Sequence, residues 1–269
     1  MLHCRSSSKA QLHLAVVLSA LATSAADGVQ YGHVYTGDGT YYGDFHGAGA
    51  CSFEYGKAYT RPWTRGLARG VAMNAPQYGG SEPCGMCVAY RGTGQGAGAD
   101  PVPVDGLQYA LVTDLCPECA HGALDQASFG DGRWGIAWTP VQCPVGTGQD
   151  TSHFFYSFQG SNPWYLKLQI ANTRVPVRAA SIMGPKGWEA MQRSTDNYFL
   201  ARGGVYQFPT AIRLTSILGD TVTDSVPAAA FTSADHSGAF GGAQFPFNRT
   251  LSEVGALRLA AGVKGALSK

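Results

Sequence analysis

The chain has 269 residues, enough for one large core or two smaller ones, and ordinary domain size favours two. Its formal net charge of +1 gives no global field of the kind that nucleic-acid partners require. With 36 glycines, 11% aromatic and only 14% charged residues, the composition suits a loop-rich β protein and speaks against a helical one.

Residues 1–26 read as a secretory signal peptide. They have a basic start at Arg5 and Lys9, an apolar run from Leu14 to Ala22 and small residues from Thr23 to Ala26. The run is too short to anchor in a membrane, so a secreted protein, extracellular or in a cell wall, is expected with no membrane partner. Cleavage near Ala25 or Ala26 would remove Cys4, one of 7 cysteines, and leave Cys51, Cys84, Cys87, Cys116, Cys119 and Cys143. In a secreted chain these read as disulfides rather than zinc ligands. Sequence alone allows about fifteen pairings of such a set.

The confinement of those cysteines marks a first domain, residues 29–145, with short alternating strands such as 107–113 and 135–142. Its densest stretch is Val112 to Phe129. The alternation from Tyr109 places Asp114 on the face of Ala110 and Val112, where a carboxylate needs a task or a partner. Asp125 follows Gly122-Ala123-Leu124 and, read alone, is better explained as a helix N-cap than as a catalytic group. Residues 146–152 form a polar connector too short to separate two domains widely. From 153 to 227, strands are expected over 153–158, 164–171, 175–182, 187–191, 198–201 and 211–217, the regular spacing of a β-sandwich. The tail, 228–269, has no assigned role. Residues 228–247 read as a linker, Thr250 to Glu253 has capping-box spacing, and Asn248-Arg249-Thr250 is a glycosylation sequon. No metal constellation, nucleotide loop or Ser-His-Asp set stands out, so no metal and no cofactor are expected.

Five motifs in order give these features a family. They are Thr40-Tyr41-Tyr42-Gly43, Gly49-Ala50-Cys51, Cys84-Gly85-Met86-Cys87, Thr113-Asp114-Leu115 with Gly122-Ala123-Leu124-Asp125 and Phe129, and Pro163-Trp164-Tyr165-Leu166-Lys167-Leu168. The region of Trp188 and of Asn197 to Phe199 also aligns. Together they resemble expansins and microbial expansin-like, loosenin-like proteins. The resemblance implies an all-β chain in which a six-stranded double-psi β-barrel is followed by an immunoglobulin-like β-sandwich that binds carbohydrate. The resemblance to plant expansins also implies Cys51 paired with Cys84 and Cys87 with Cys143, leaving Cys116 with Cys119 as a local staple.

The same barrel occurs in family 45 glycoside hydrolases, where the residue matching Asp125 is the general acid. An inverting glycosidase needs a second carboxylate, roughly 6.5–9.5 Å away, to activate water. Expansins lack that base, whereas here Thr40-Tyr41-Tyr42-Gly43-Asp44 puts Asp44 at its position. Asp44 reads either as a restored base or as a turn residue in a Gly-Asp-Phe-His-Gly loop, and turn chemistry favours the second. His46 and His121 read as surface histidines. In the family reading, Asp125, Asp114 and Thr40 bond sugar hydroxyls while Tyr42 offers a ring. Cys116 stands where an expected groove aromatic would fall, and Tyr41, Tyr55 or Tyr78 are the candidate substitutes.

In the second domain, Trp164 and Tyr165 match the family's surface aromatic pair, and Lys167 adds a polar contact. Tyr198 is the candidate third aromatic, near the ungapped position of Asp196, with Trp188 in reserve. Adjacent strand residues face opposite sides, so one of Trp164 and Tyr165 is expected to be buried unless the backbone bulges. The leading reading is a monomeric secreted protein that binds cellulose, xyloglucan or related β-glucans and loosens walls without hydrolysis. The alternatives are an inverting endo-β-1,4-glucanase using Asp125 and Asp44, and an inert barwin-like carbohydrate-binding module.

Overall fold

The computed structural model describes residues 28–43, 49–53, 69–99, 103–145, 152–232 and 237–248. The signal segment, Asp44, His46, Tyr55, nearly all of the connector and the capping box near Thr250 lie outside the described residues.

The first half closes a barrel from β1 (Tyr35–Tyr41), β2 (Arg69–Asn74), β3 (Cys87–Ala97), β4 (Leu107–Cys116), β5 (Leu124–Gln126) and β6 (Arg133–Val141), in the order β1-β5-β2-β4-β3-β6. β1 runs parallel to β5 and β2 parallel to β4, while the remaining pairs are antiparallel. Trp138, Tyr90, Met73, Leu124 and Ile136 fill the interior. The expected strands over 107–113 and 135–142 are therefore β4, which runs on to Cys116, and β6, which begins at Arg133 and ends at Val141.

The disulfides are Cys51–Cys84, Cys87–Cys143 and Cys116–Cys119, the set implied by the resemblance. They are separated by 33, 56 and 3 residues. Loop-closure entropy gives the first two about 4 kcal/mol each and the last about 2 kcal/mol.

The sandwich stacks β10 (Gly187–Ala190), β9 (Val177–Gly184), β13 (Thr210–Ser216) and β14 (Thr221–Val226) on a second sheet. That sheet runs β11 (Gln192–Arg193), β12 (Phe199–Ala201), β8 (Leu166–Ala171), β7 (Phe155–Phe158) and β15 (Gly238–Phe240). On β8, Leu166, Leu168 and Ile170 enter the sandwich core, while Gln169 and Ala171 turn toward the barrel. A short helix, α2 (Ala228–Thr232), precedes β15.

The linker reading of 228–247 is corrected here. β15 pairs with β7, and Phe245 is fully buried against Phe154, with ring centroids 4.9 Å apart. Composition hid this because a segment rich in Ala, Gly and Ser shows no strand alternation, and its buried Ala230 and Phe245 are fixed by packing against distant strands.

The two halves meet along a seam in which Phe155 and Ala171 pack on the barrel core and polar side chains bond across. Gln169 Nε2 donates to Cys51 O and Ser52 O at 3.1 Å each, and Asn197 Nδ2 donates to Cys51 O at 3.1 Å. Arg193 donates to Ser81 O at 3.0 Å, to Asn197 Oδ1 at 3.1 Å and to Val177 O. Burial pushes its guanidinium pKa down to about 10, which the charges of Glu82 and Tyr78 oppose.

Candidate functional site

Asp125 sits on β5 beside β1, in register with Thr40. Thr40 Oγ1 donates to Asp125 Oδ1 at 2.6 Å. No helix follows, so the capping reading of Asp125 is overturned: its carboxyl meets a side-chain hydroxyl across a strand pair. Burial raises its pKa, opposed by the Thr40 hydrogen bond, and Glu118 adds a further upward push.

A turn with little freedom launches β5. Gly122 has φ 86°, and a Cβ there would stand 2.1 Å from Thr36 O, so only glycine lets the turn lie against β1. Trp138 Nε1 donates to Gly122 O at 2.8 Å. Behind the turn stands the four-residue helix α1 (Ala75–Tyr78), capped by buried Asn74, whose side chain accepts from Gln77 N. Asn74 Nδ2 also donates to Ala123 O at 3.0 Å, and Gln77 Oε1 accepts from Gly122 N at 3.0 Å. These two buried amides position Asp125 and escaped the sequence reading. The Asn-Ala-Pro run at 74–76 carries an N-cap signal that could have drawn attention to Asn74.

Asp114 lies toward the end of β4, where the ladder with β2 shifts so that Val71 faces Val112 and Ala72 faces Asp114. Simple alternation would leave Asp114 on the fully buried face of Ala110 and Val112. The irregularity at Thr113 breaks that phase, and Asp114 is half-buried instead. Its Oδ1 accepts from Ala50 N at 2.6 Å and from Leu115 N at 2.8 Å. The charges of both carboxylates act on Tyr42: burial raises its phenol pKa, Asp114 and Asp125 raise it further, and a hydrogen bond with Thr113 opposes them. The Cys116–Cys119 bridge is adjacent, its sulfurs and the Asp125 carboxylate lying within 4.8 Å of one another. With both thiols in the disulfide, this trio offers no thiolate to a metal.

The candidate substitutes for the missing groove aromatic fare differently. Tyr41 is half-buried and packs its ring against Gly130. Tyr78 is buried, so it stacks on nothing external; its hydroxyl donates to Thr195 O of the sandwich at 3.2 Å. Burial raises its pKa, the charges of Asp114 and Asp196 add to the rise, and Arg193 opposes it. His121 is exposed on the turn before β5, edge-to-face with Tyr35 at a ring-centroid distance of 5.9 Å.

On the sandwich, Trp164 is 65% exposed and Tyr165 half-buried. The expectation that one of them is core is corrected. Both belong to a turn, not to β8, because Asn162 Oδ1 accepts from Trp164 N at 2.9 Å and from Tyr165 N at 3.1 Å. Arg202 lies 5.2 Å from the Tyr165 ring. Lys167 Nζ pairs with Asp196 at 2.8 Å and stands 4.2 Å over the Tyr198 ring.

Tyr198 is buried, so its role as a third surface aromatic is corrected as well. It closes a turn, its N–H donating to Ser194 Oγ at 3.1 Å and its carbonyl accepting from Ser194 N at 2.8 Å, which draws the ring beneath Lys167. Trp188, in reserve, is on the other sheet, 38% exposed with Arg213 4.4 Å over its ring. The side chain of Asn248 in the sequon is exposed, and its backbone N–H donates to Gln142 Oε1 at 2.8 Å; the rest of the sequon lies outside the described residues.

No protein-family model matches the chain. Expansin-YoaJ of Bacillus subtilis is 30% identical over 131 residues, 45% of this chain and 54% of the relative, so the chain spans about half the length of that curated relative. Two crystal structures of the Clavibacter michiganensis expansin are similar in fold. One is an aspartate-to-asparagine mutant in complex with cellohexaose, with TM-score 0.62, and the other is the apo protein, with TM-score 0.61. Each shares 20% sequence identity and covers 80% of this chain and 100% of the expansin. In sequence over about half its length and in its barrel-plus-sandwich fold, the chain is similar to microbial expansins.

Proposed function

We propose that this is a secreted expansin-like protein that binds cellulose or related β-glucans and loosens plant-type walls by competing for glucan–glucan contacts, without hydrolysis. The observation that carries the reading is the arrangement around Asp125. A half-buried carboxyl bonded to Thr40 stands beside a tyrosine and a second carboxylate whose Oδ1 already holds two backbone amides. Asp114 is thereby held in place as a wall of the groove. Such a set can exchange hydrogen bonds with sugar hydroxyls.

The exposed Trp164, with Tyr165 and Lys167 beyond the seam, supplies the flat apolar contact for the pyranose C–H face. A fold neighbour in complex with cellohexaose supports the glucan class. The leader at 1–26 supports secretion, and Asn248 is the proposed glycosylation site. The test is a pull-down on crystalline cellulose together with extension of isolated wall strips. Asp125→Asn should abolish extension while leaving cellulose retention through Trp164; extension by the variant at the native rate would sink the reading.

One observation favours the hydrolase alternative. Burial raises the Asp125 pKa, as a general acid requires, and Asp44 would then serve as base. Reducing-end release that disappears in both Asp44→Asn and Asp125→Asn would establish it.

A further inference from the structure

Phe129 is the most exposed large hydrophobic side chain among the described residues, at 79%, exceeding even Trp164. Its backbone is well held. Gly43 N donates to Ser128 O at 3.1 Å on one side, and on the other a Cβ at Gly130 would meet the Tyr41 ring at 2.6 Å, so that loop lies flush on Tyr41. Gln126 and Ser128 turn inward, leaving Asp125, Ala127 and Phe129 toward the outside. The ring lies beside β1's exit. A Cβ built on Gly43, the residue after Tyr42, would stand 3.9 Å from Phe129 Cε1, and the φ of 93° at Gly43 disfavours any side chain that could cover the ring.

A bare phenyl on a pinned loop, next to hydroxyl-bonding residues, is suited to an apolar face that carries hydroxyls at its rim. We propose that Phe129 is a sugar-stacking platform that adds a subsite to the groove beyond Asp125, taking the C–H face of a neutral β-linked pyranose. The proposal rests on the glucan reading above and assigns to the loop between β5 and β6 a role in fixing where the glucan lies across Asp125 and Thr40. It also accounts for how the barrel keeps an aromatic contact although Cys116 occupies the expected position and Tyr78 is buried.

The test titrates the full chain with cellohexaose, reading affinity by calorimetry and the Phe129 ring resonances by NMR in phenylalanine-labelled protein. The native ring resonances should shift on binding. Phe129→Ala and Phe129→Leu should each weaken binding about tenfold with unchanged Tm, while Phe129→Trp restores it, because a flat ring rather than apolar bulk is required. Unshifted resonances, or native affinity in Phe129→Ala while Asp125→Asn is weakened, would overturn the subsite and leave the groove reading standing. Absence of cellohexaose binding by the native protein would overturn both. Sedimentation that changes in Phe129→Ala without a change in affinity would assign the ring to self-association and also overturn the proposal.

Discussion

The barrel carries all three disulfides and builds buried amides, a tyrosine and a half-buried carboxyl into its walls. The sandwich, without a disulfide among its described residues, fills its core with Phe154, Tyr156, Phe158, Phe199 and Phe245. A groove that must hold Asp125, Thr40 and Asp114 in fixed relation needs a backbone that does not relax around desolvated polar groups, and the disulfides supply part of that constraint. Binding through an exposed Trp164 makes a smaller demand: one turn held by Asn162 is enough. The two halves thus divide the proposed task into oriented hydrogen bonding and apolar adhesion.

The largest expected effect breaks the sandwich and leaves the barrel intact. Phe245→Ala should cost about 3–5 kcal/mol, the usual loss for a large aromatic removed from a core. Calorimetry should resolve it as an early transition of one half, and an unchanged melt would contradict the assignment of residues beyond 237 to the sandwich. The complementary change acts on the barrel. Replacing Cys87 and Cys143 with alanine should cost about 4 kcal/mol, whereas the same change at Cys116 and Cys119 should cost about 2 kcal/mol. Equal losses in urea melts would mean that the short bridge does more than close a loop.

Adhesion is separated from stability by Trp164→Ala. Its Tm should not change, because the ring is largely in solvent, while retention on crystalline cellulose should fall about tenfold, equivalent to about 1.4 kcal/mol. The smallest effect is electrostatic. The Asp125 pKa is raised chiefly by burial, so the folded state holds that proton more tightly than the unfolded chain. Stability therefore declines as pH rises from the ordinary carboxylate range through the raised value, and stays lowered above it. Asp125→Asn, which keeps an acceptor for Thr40, should show a slightly higher Tm than the native protein above that window and no difference below it. A higher Tm confined to acidic pH would reverse the assignment.

Much of this architecture is legible in the residues. The motifs from Thr40 to Leu168 locate both domains, and the resemblance they carry supplies the disulfide set later seen in the structure. What was hidden depends on distant packing. The phase of Asp114 is set by a ladder irregularity against β2, which no count along β4 reveals. Tyr198 fails as a surface ring because a turn bonded to Ser194 folds it under Lys167. Trp164 and Tyr165 escape the alternation rule because Asn162 makes them a turn. Asn74 and Gln77 act on Asp125 only through a turn about fifty residues away in sequence, and Phe129 shows its exposure only once Gly43 stands beside it.

The central claim, glucan binding without cleavage, is tested most directly by measuring reducing ends and cellulose-bound protein in the same incubation. The native protein, Asp44→Asn and Asp125→Asn should be compared. The account predicts retention of the native protein on cellulose with no release of reducing ends from any of the three. Release by the native protein that is lost in both variants would contradict it and make the groove the active site of a two-carboxylate hydrolase.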